Sequence, residues 1–265
     1  MKLALSSRFW EGPKGYTIGC AEHIAVAAEL GYDGIELRYP LIPPPDRIGE
    51  IGRDLKRLGI HVVFGPCAGV PKDAASRADA IRVLDVLQTL GARFLKCIIF
   101  STDDYSPMRE LADLAAGRGI RVCTQLHVNT LSDTVDRAEK CLREVNHPNF
   151  GIIMDAAHLQ FLEKPDPDVA GAVKRLAPWI ALANVQSYAP AETAPAGRTT
   201  FALGGKNWVH SLPGEAGSTD LKAYVGILRK NGFDGWLTVM PSRDPVMDAK
   251  VVAKQYHDYL KSLVA

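Results

Sequence analysis

Glu29-Leu30-Gly31-Tyr32-Asp33-Gly34-Ile35-Glu36-Leu37 is the stretch on which the fold turns. An apolar-periodic run ends at Gly31, a residue suited to the left-handed cap that stops a helix, and a short β-type run starts three residues later. The same junction recurs at Leu58-Gly59 before Ile60 to Phe64, at Leu90-Gly91 before Phe94 to Ile99, at Gly119 before Ile120 to Leu126, and at Gly232 before Trp236 to Val239. Through Gly119 the junctions lie about 30 residues apart, the length of one strand plus one helix with tight loops. Alternation of this kind implies a parallel sheet.

Working outward, Val83, Val86, Leu87 and Leu90 repeat at i, i+3, i+4 and i+7, as do Leu221, Tyr224, Val225 and Leu228. Each set makes one apolar helical stripe for packing. Strands are expected at 2–6, 33–37, 60–64, 93–99, 120–127, 150–155, 180–186 and 235–240, with helices between them and a last helix over about 247–263. Eight similar units in 265 residues favour a single-domain α/β fold, one (β/α)8 TIM barrel, over an open doubly wound sheet.

Composition narrows the function classes. A net charge of +1 with no Lys/Arg run gives no footprint for nucleic acid. Cys20, Cys67, Cys97, Cys123 and Cys141 are scattered, odd in number and free of any Cys-x-x-Cys pair, which points to reduced core thiols rather than a disulfide framework or zinc knuckle. The opening MKLALSSRFWEG lacks the apolar run of a secretory signal, and no stretch approaches membrane-spanning length, so a cytoplasmic protein with no membrane partner is expected. No Gly-x-Ser-x-Gly elbow stands at a strand end.

Barrel active sites lie at the C-terminal strand ends. Strand five ends Thr124-Gln125-Leu126-His127, and alternation puts Gln125 and His127 on one face. Strand six ends Met154-Asp155-Ala156-Ala157-His158, strand seven Asn184-Val185-Gln186-Ser187-Tyr188, and strand eight Val239-Met240-Pro241-Ser242-Arg243. The Pro/Gly/Ala-rich segment 187–218 is long for a loop and is expected to border the site. Within it Trp208 and His210 are candidates to close over a ligand, and Arg243 to hold an anionic group.

Gly31-Tyr-Asp-Gly-Ile-Glu36-Leu, Asp155-Ala-Ala-His158, Leu212-Pro-Gly-Glu-Ala-Gly-Ser-Thr-Asp220 and Gly232-Phe-Asp-Gly235 recur in this order in sugar phosphate isomerases and epimerases. Along nearly its whole length the chain resembles that xylose isomerase-like superfamily, which includes ketose 3-epimerases, hydroxypyruvate isomerase, inosose dehydratase and dehydroshikimate dehydratase. The resemblance implies a small sugar, keto-sugar or polyol as partner, proton abstraction next to a carbonyl as chemistry, and a homo-oligomer as a common assembly.

It also implies a divalent cation (manganese, magnesium, cobalt or zinc) on a Glu, an Asp, a His and a Glu after strands five to eight. The matching positions here carry Gln125, Asp155, Gln186 and Met240. Only Asp155 is retained, so about three negative charges fall to about one. Two outcomes stay open: a remodelled metal site of Asp155, Gln125, Gln186 and His127, or none. The candidate acid and base groups are Asp155, His158, His127 and Glu36, with Gln125 and Gln186 as substrate-binding amides. The other class is a non-catalytic or metal-independent sugar-binding barrel acting as sensor or partner subunit. Cleavage at abasic DNA sites would need several zinc ions, for which this chain is too poor in ligands.

Overall fold

The computed structural model describes residues 1–66, 69–162, 168–240 and 247–264. Eight parallel strands close a barrel: β1 (Lys2–Ser6), β2 (Gly34–Glu36), β3 (His61–Pro66), β4 (Phe94–Lys96), β5 (Arg121–Gln125), β6 (Phe150–Asp155), β7 (Ile180–Val185) and β8 (Trp236–Val239). Ala4 pairs with Gly34 on one side and with Thr238 on the other, which seals the sheet through β1. Helices α1 (Cys20–Glu29), α2 (Ile48–Leu58), α3 (Ala74–Thr89), α4 (Ser106–Ala116), α5 (Val135–Val145), α6 (Ala156–Leu162), α7 (Val169–Leu176), α8 (Leu221–Lys230) and α9 (Ala249–Val264) occupy the intervals. Among the described residues no helix is long and apolar enough to cross a membrane.

The five junction glycines all carry positive φ: 88° at Gly31, 68° at Gly59, 74° at Gly91, 68° at Gly119 and 80° at Gly232. That is the left-handed backbone a Cβ disfavours, so each glycine ends its helix where the sequence rhythm places it.

Alternation along the strands builds two apolar layers. Leu3, Leu5, Ile35, Val62, Leu95, Val122, Ile152, Ala183, Val185, Leu237 and Val239 face outward into the main core with the helical stripes, including Val83, Leu87, Leu221, Tyr224 and Leu228. Ala4, Val63, Phe64, Cys123, Ile153 and Leu182 form a second cluster with Phe94 and Trp236. This cluster plugs the barrel interior below its mouth, and Val63 and Phe64, adjacent in sequence, both join it because the β2–β3 register shifts there.

Segment 187–218 differs from a plain loop. Tyr188–Pro190, Thr200–Leu203 and Lys206–His210 form a three-stranded antiparallel sheet beside the barrel mouth. Its Tyr188, Trp208 and Phe201 pack on Phe161 of α6, so aromatic burial gives the insertion a small core of its own.

Gly34 shows how tightly the interior is filled. A Cβ there would lie 2.7 Å from the His61 carbonyl oxygen and 2.9 Å from both Trp236 Cζ3 and Val63 Cγ2. The Gly34→Ala variant is therefore expected to lose about 1–3 kcal/mol of stability through overpacking. Gly52→Ala, inside α2 with nothing within 4 Å of the added carbon, should be neutral or gain up to about 1 kcal/mol. Urea unfolding of the two variants beside the parent chain checks both signs.

Candidate active site

Two residues beyond the inward plug, the strands change from apolar to polar. Ser6, Glu36, Lys96, Gln125, Asp155 and Asn184 follow Ala4, Gly34, Phe94, Cys123, Ile153 and Leu182 on the same face, and all six are buried. The sheet thus delivers a ring of hydrogen-bonding groups to the C-terminal mouth.

One half of the ring centres on Asp155, the last residue of β6. Its Oδ2 accepts from Gln186 Nε2 at 2.7 Å, Gln125 Nε2 at 2.9 Å and Asn184 Nδ2 at 3.3 Å. Tyr188 donates its hydroxyl to Gln186 Oε1 at 2.8 Å, which fixes that amide in turn. Burial pushes the Asp155 carboxyl up to about 7, against the pull of the Gln186, Asn184 and Gln125 hydrogen bonds and of the His158 backbone amide. Sitting immediately before α6, the carboxylate also has the position of a helix cap.

His158 lies in the first turn of α6 with Nε2 3.7 Å from Asp155 Oδ2, beyond hydrogen-bonding distance. Among the described residues, both of its ring nitrogens, Asp155 Oδ1, Asn184 Oδ1 and Thr238 Oγ1 are buried without a hydrogen-bond partner. Burial, then His127, Arg8 and Lys96, hold the His158 imidazole well below its ordinary proton affinity, so it is neutral.

The ring of His127 lies against that of His158, 4.0 Å between centroids and tilted by 37°. Strand β5 stops at Gln125, so strand alternation does not place His127. A turn does, closed by His127 N to Ser132 O and by Thr130 Oγ1 to His127 O. His127 Nδ1 donates to Val128 O at 2.8 Å, which leaves Nε2 as the acceptor nitrogen of the neutral ring. Burial lowers this imidazole as well, and Lys96, Arg8 and Arg38 reinforce the effect.

Glu36 anchors the other half. It is fully buried, accepts from the Ser6 hydroxyl, and has Lys96 Nζ 3.5 Å from Oε1. Burial alone would raise its carboxyl, but Lys96, Arg38 and the Ser6 hydrogen bond outweigh it and hold Glu36 ionised below its ordinary range. His23 backs this corner. Trp10 Nε1 donates to His23 Nδ1 at 2.8 Å, so the proton sits on Nε2, which donates to the Glu36 carbonyl at 3.3 Å. Burial takes His23 down to about 4, consistent with a permanently neutral support.

The remaining sequence candidates lie apart from these two groups. Trp208 is buried against Phe161 at 5.0 Å, near perpendicular, and donates Nε1 to Leu203 O. His210 packs between Tyr188 and Phe201 in the inserted sheet. Both belong to the wall beside the mouth. Arg243 falls outside the described residues.

Sequence reasoning passed over Lys96, Arg8, Asn184 and Tyr188. Alternation could have found Asn184 from its spacing to Gln186, and Lys96 from Phe94. Nothing local marks Arg8, which sits on the turn after β1 (Ser7–Trp10) and approaches the site only through barrel closure.

The ligand positions implied by resemblance fit a hard divalent cation poorly. Gln125 and Gln186 turn N–H groups toward the one carboxylate, the Gln186 carbonyl is taken by Tyr188, and Met240 offers only a thioether. His127 gives Nδ1 to a backbone carbonyl instead of joining this set. Among the described residues no group of three His, Cys, Asp or Glu converges to hold a metal.

Comparison with known proteins agrees with this architecture. Inosose dehydratase of Mesomycoplasma hyopneumoniae strain J is 24% identical over 282 residues, covering 95% of this chain and 91% of that protein. The match to inosose dehydratase of Serratia proteamaculans is 27% identical but spans only 52% of this chain and 46% of that enzyme, about half of each. Among solved structures, the probable 3-DHS dehydratase of Bacillus anthracis superposes with a TM-score of 0.79 at 18% identity, covering 98% of this chain and 99% of that one. A Mycobacterium smegmatis barrel solved in complex with magnesium gives 0.74 at 20% identity, covering 100% and 98%. A family model described as xylose isomerase-like TIM barrel matches residues 24–263, and with that span the chain belongs to this family.

Proposed function

We propose that the protein is an enzyme acting on a small sugar, keto-sugar or polyol by moving a proton on the carbon next to a carbonyl, in the isomerase, epimerase or dehydratase class. The observation that carries this reading is the set of buried, unpartnered polar atoms in the mouth: Asp155 Oδ1, Asn184 Oδ1, Thr238 Oγ1 and both His158 nitrogens. Each such atom costs about 1–3 kcal/mol when left unsatisfied. A polyhydroxylated guest supplies the missing partners. The inosose dehydratase relatives support the same substrate class.

Asp155 is the proposed acid and base. Three amides hold Oδ2 and leave Oδ1 for the reacting proton, and a carboxyl raised to about 7 is matched to proton transfer near neutrality. Neutral His158 has one N–H and one lone pair, so it can donate to the oxygen that gains charge as the proton leaves. No step is routed through a divalent cation, because the amide-rich donor set does not suit one.

Proton abstraction shows as exchange of carbon-bound hydrogen in heavy water, followed by NMR across a panel of ketoses, keto-inositols and sugar acids. Exchange with at least one member is expected, and its absence throughout would favour binding without chemistry. Asp155→Asn should slow exchange by roughly 10²–10⁴-fold, and His158→Ala should also slow it. Chelation with EDTA should leave the rate unchanged, whereas loss of activity restored by added metal would contradict the metal-free reading.

The rate should climb as pH rises through about 7, where Asp155 ionises. Stability should move the opposite way. The folded carboxyl binds its proton more tightly than the unfolded one, so folding is most favoured below the ordinary value of 3.8 and loses that contribution as pH rises to about 7. Asp155→Asn should abolish this component, so urea midpoints of parent and variant should diverge across that window.

A further inference from the structure

Lys96 and Arg8 bring positive charge toward the mouth, with few acceptors among the described residues to receive it. Lys96 is 6% exposed, and its ammonium lies 3.5 Å from Glu36 Oε1 and 5.5 Å over the Phe64 ring. Among the described residues Glu36 is the one acceptor within hydrogen-bonding distance of that ammonium, although a lysine head carries three donors. The second Glu36 oxygen is already occupied by Ser6. Arg8, half-buried on the turn after β1, has no hydrogen bond or ion pair from its guanidinium among the described residues. It nevertheless lies close enough to Lys96, His127, His158 and Tyr188 to act on all four electrostatically. Arg38, after β2, adds a third cation, but it has Tyr16 and Glu11 as well as Glu36 for company.

The charge count is therefore uneven. Among the described residues, the ionised Glu36 carboxylate acts on Lys96 and Arg38, Arg38 is also faced by Glu11, and the Arg8 guanidinium has no carboxylate partner. Burying an ammonium beside a single long contact is unfavourable unless something else arrives to complete it.

From this we infer that the natural substrate carries an anionic group, a carboxylate or a phosphate, seated between Lys96 and Arg8, while its hydroxyls and carbonyl reach Asp155, Asn184 and His158. This deepens the proposed function and rests on it: the guest is a sugar acid or sugar phosphate rather than a neutral polyol. Lys96 supplies a compact charge at the base, and Arg8 a planar fork suited to two oxygens.

Calorimetry on the full chain with glucuronate, glucose 6-phosphate and myo-inositol tests the inference. The carboxylate or the phosphate should bind at least about tenfold more tightly than the neutral polyol, since only the anion receives charge-assisted hydrogen bonds from Lys96 and Arg8. Which of the two wins identifies the anion. Arg8→Gln, at a half-buried turn position, should remove most of that preference by weakening the anions far more than myo-inositol, and Lys96→Met should do the same. Equal or tighter binding of the neutral polyol, or an unchanged preference in Arg8→Gln, would overturn the anion site while keeping the sugar site. Failure of all three to bind would overturn both.

Discussion

The constraint on which the mouth depends is the burial of one carboxylate, Asp155, under three amide donors on a single oxygen. Water is replaced by Gln125, Asn184 and Gln186, which orient the group without neutralising it, so desolvation still raises its proton affinity to about 7. The rest of the site follows. Tyr188 exists there to hold Gln186, the inserted sheet exists in part to bury Tyr188, and His158 rides on the helix that Asp155 begins. A buried cation in the same place would remove the need for amides. The amides and the elevated carboxyl are two faces of one substitution of neutral donors for charge.

The barrel divides its polar groups between two corners with opposite electrostatic character. Around Asp155 the groups are neutral or nearly so. Around Glu36 they are ionic, with Ser6 on the carboxylate, His23 on the Glu36 backbone carbonyl and Lys96 beside the carboxylate. A proton is most easily exchanged in the first corner, where a carboxyl and two neutral imidazoles meet, and an anion most easily held near the second. In the proposed reading this separation lets the mouth position a substrate by its charge and act on it elsewhere.

Much of the fold was legible because its signals are local. Gly31, Gly59, Gly91, Gly119 and Gly232 stop helices through their own backbone freedom, and the i, i+3, i+4, i+7 stripes need no distant partner to be read. The site was legible where period two applies. Gln125 and Asp155 end strands, Gln186 follows one, and their shared hydrogen-bonding task is visible once they face one another. His127 reached the same neighbourhood by a turn rather than by alternation. Segment 187–218 hid its sheet because its pairing is antiparallel and its core is aromatic, while its composition is that of a loop. Lys96 and Arg8 were hidden for a different reason: a lysine in a β run and an arginine in a turn look like surface residues until the closing of β1 against β8 brings both to the same end of the barrel.

The most direct test is a crystal structure of the protein with a bound keto-sugar or its acid. The account predicts guest oxygens within hydrogen-bonding distance of Asp155 Oδ1 and of a His158 ring nitrogen, with the three amides still on Oδ2. A guest seated outside the mouth, or a metal ion coordinated by Asp155 with the amides turned to offer their carbonyls, would contradict it.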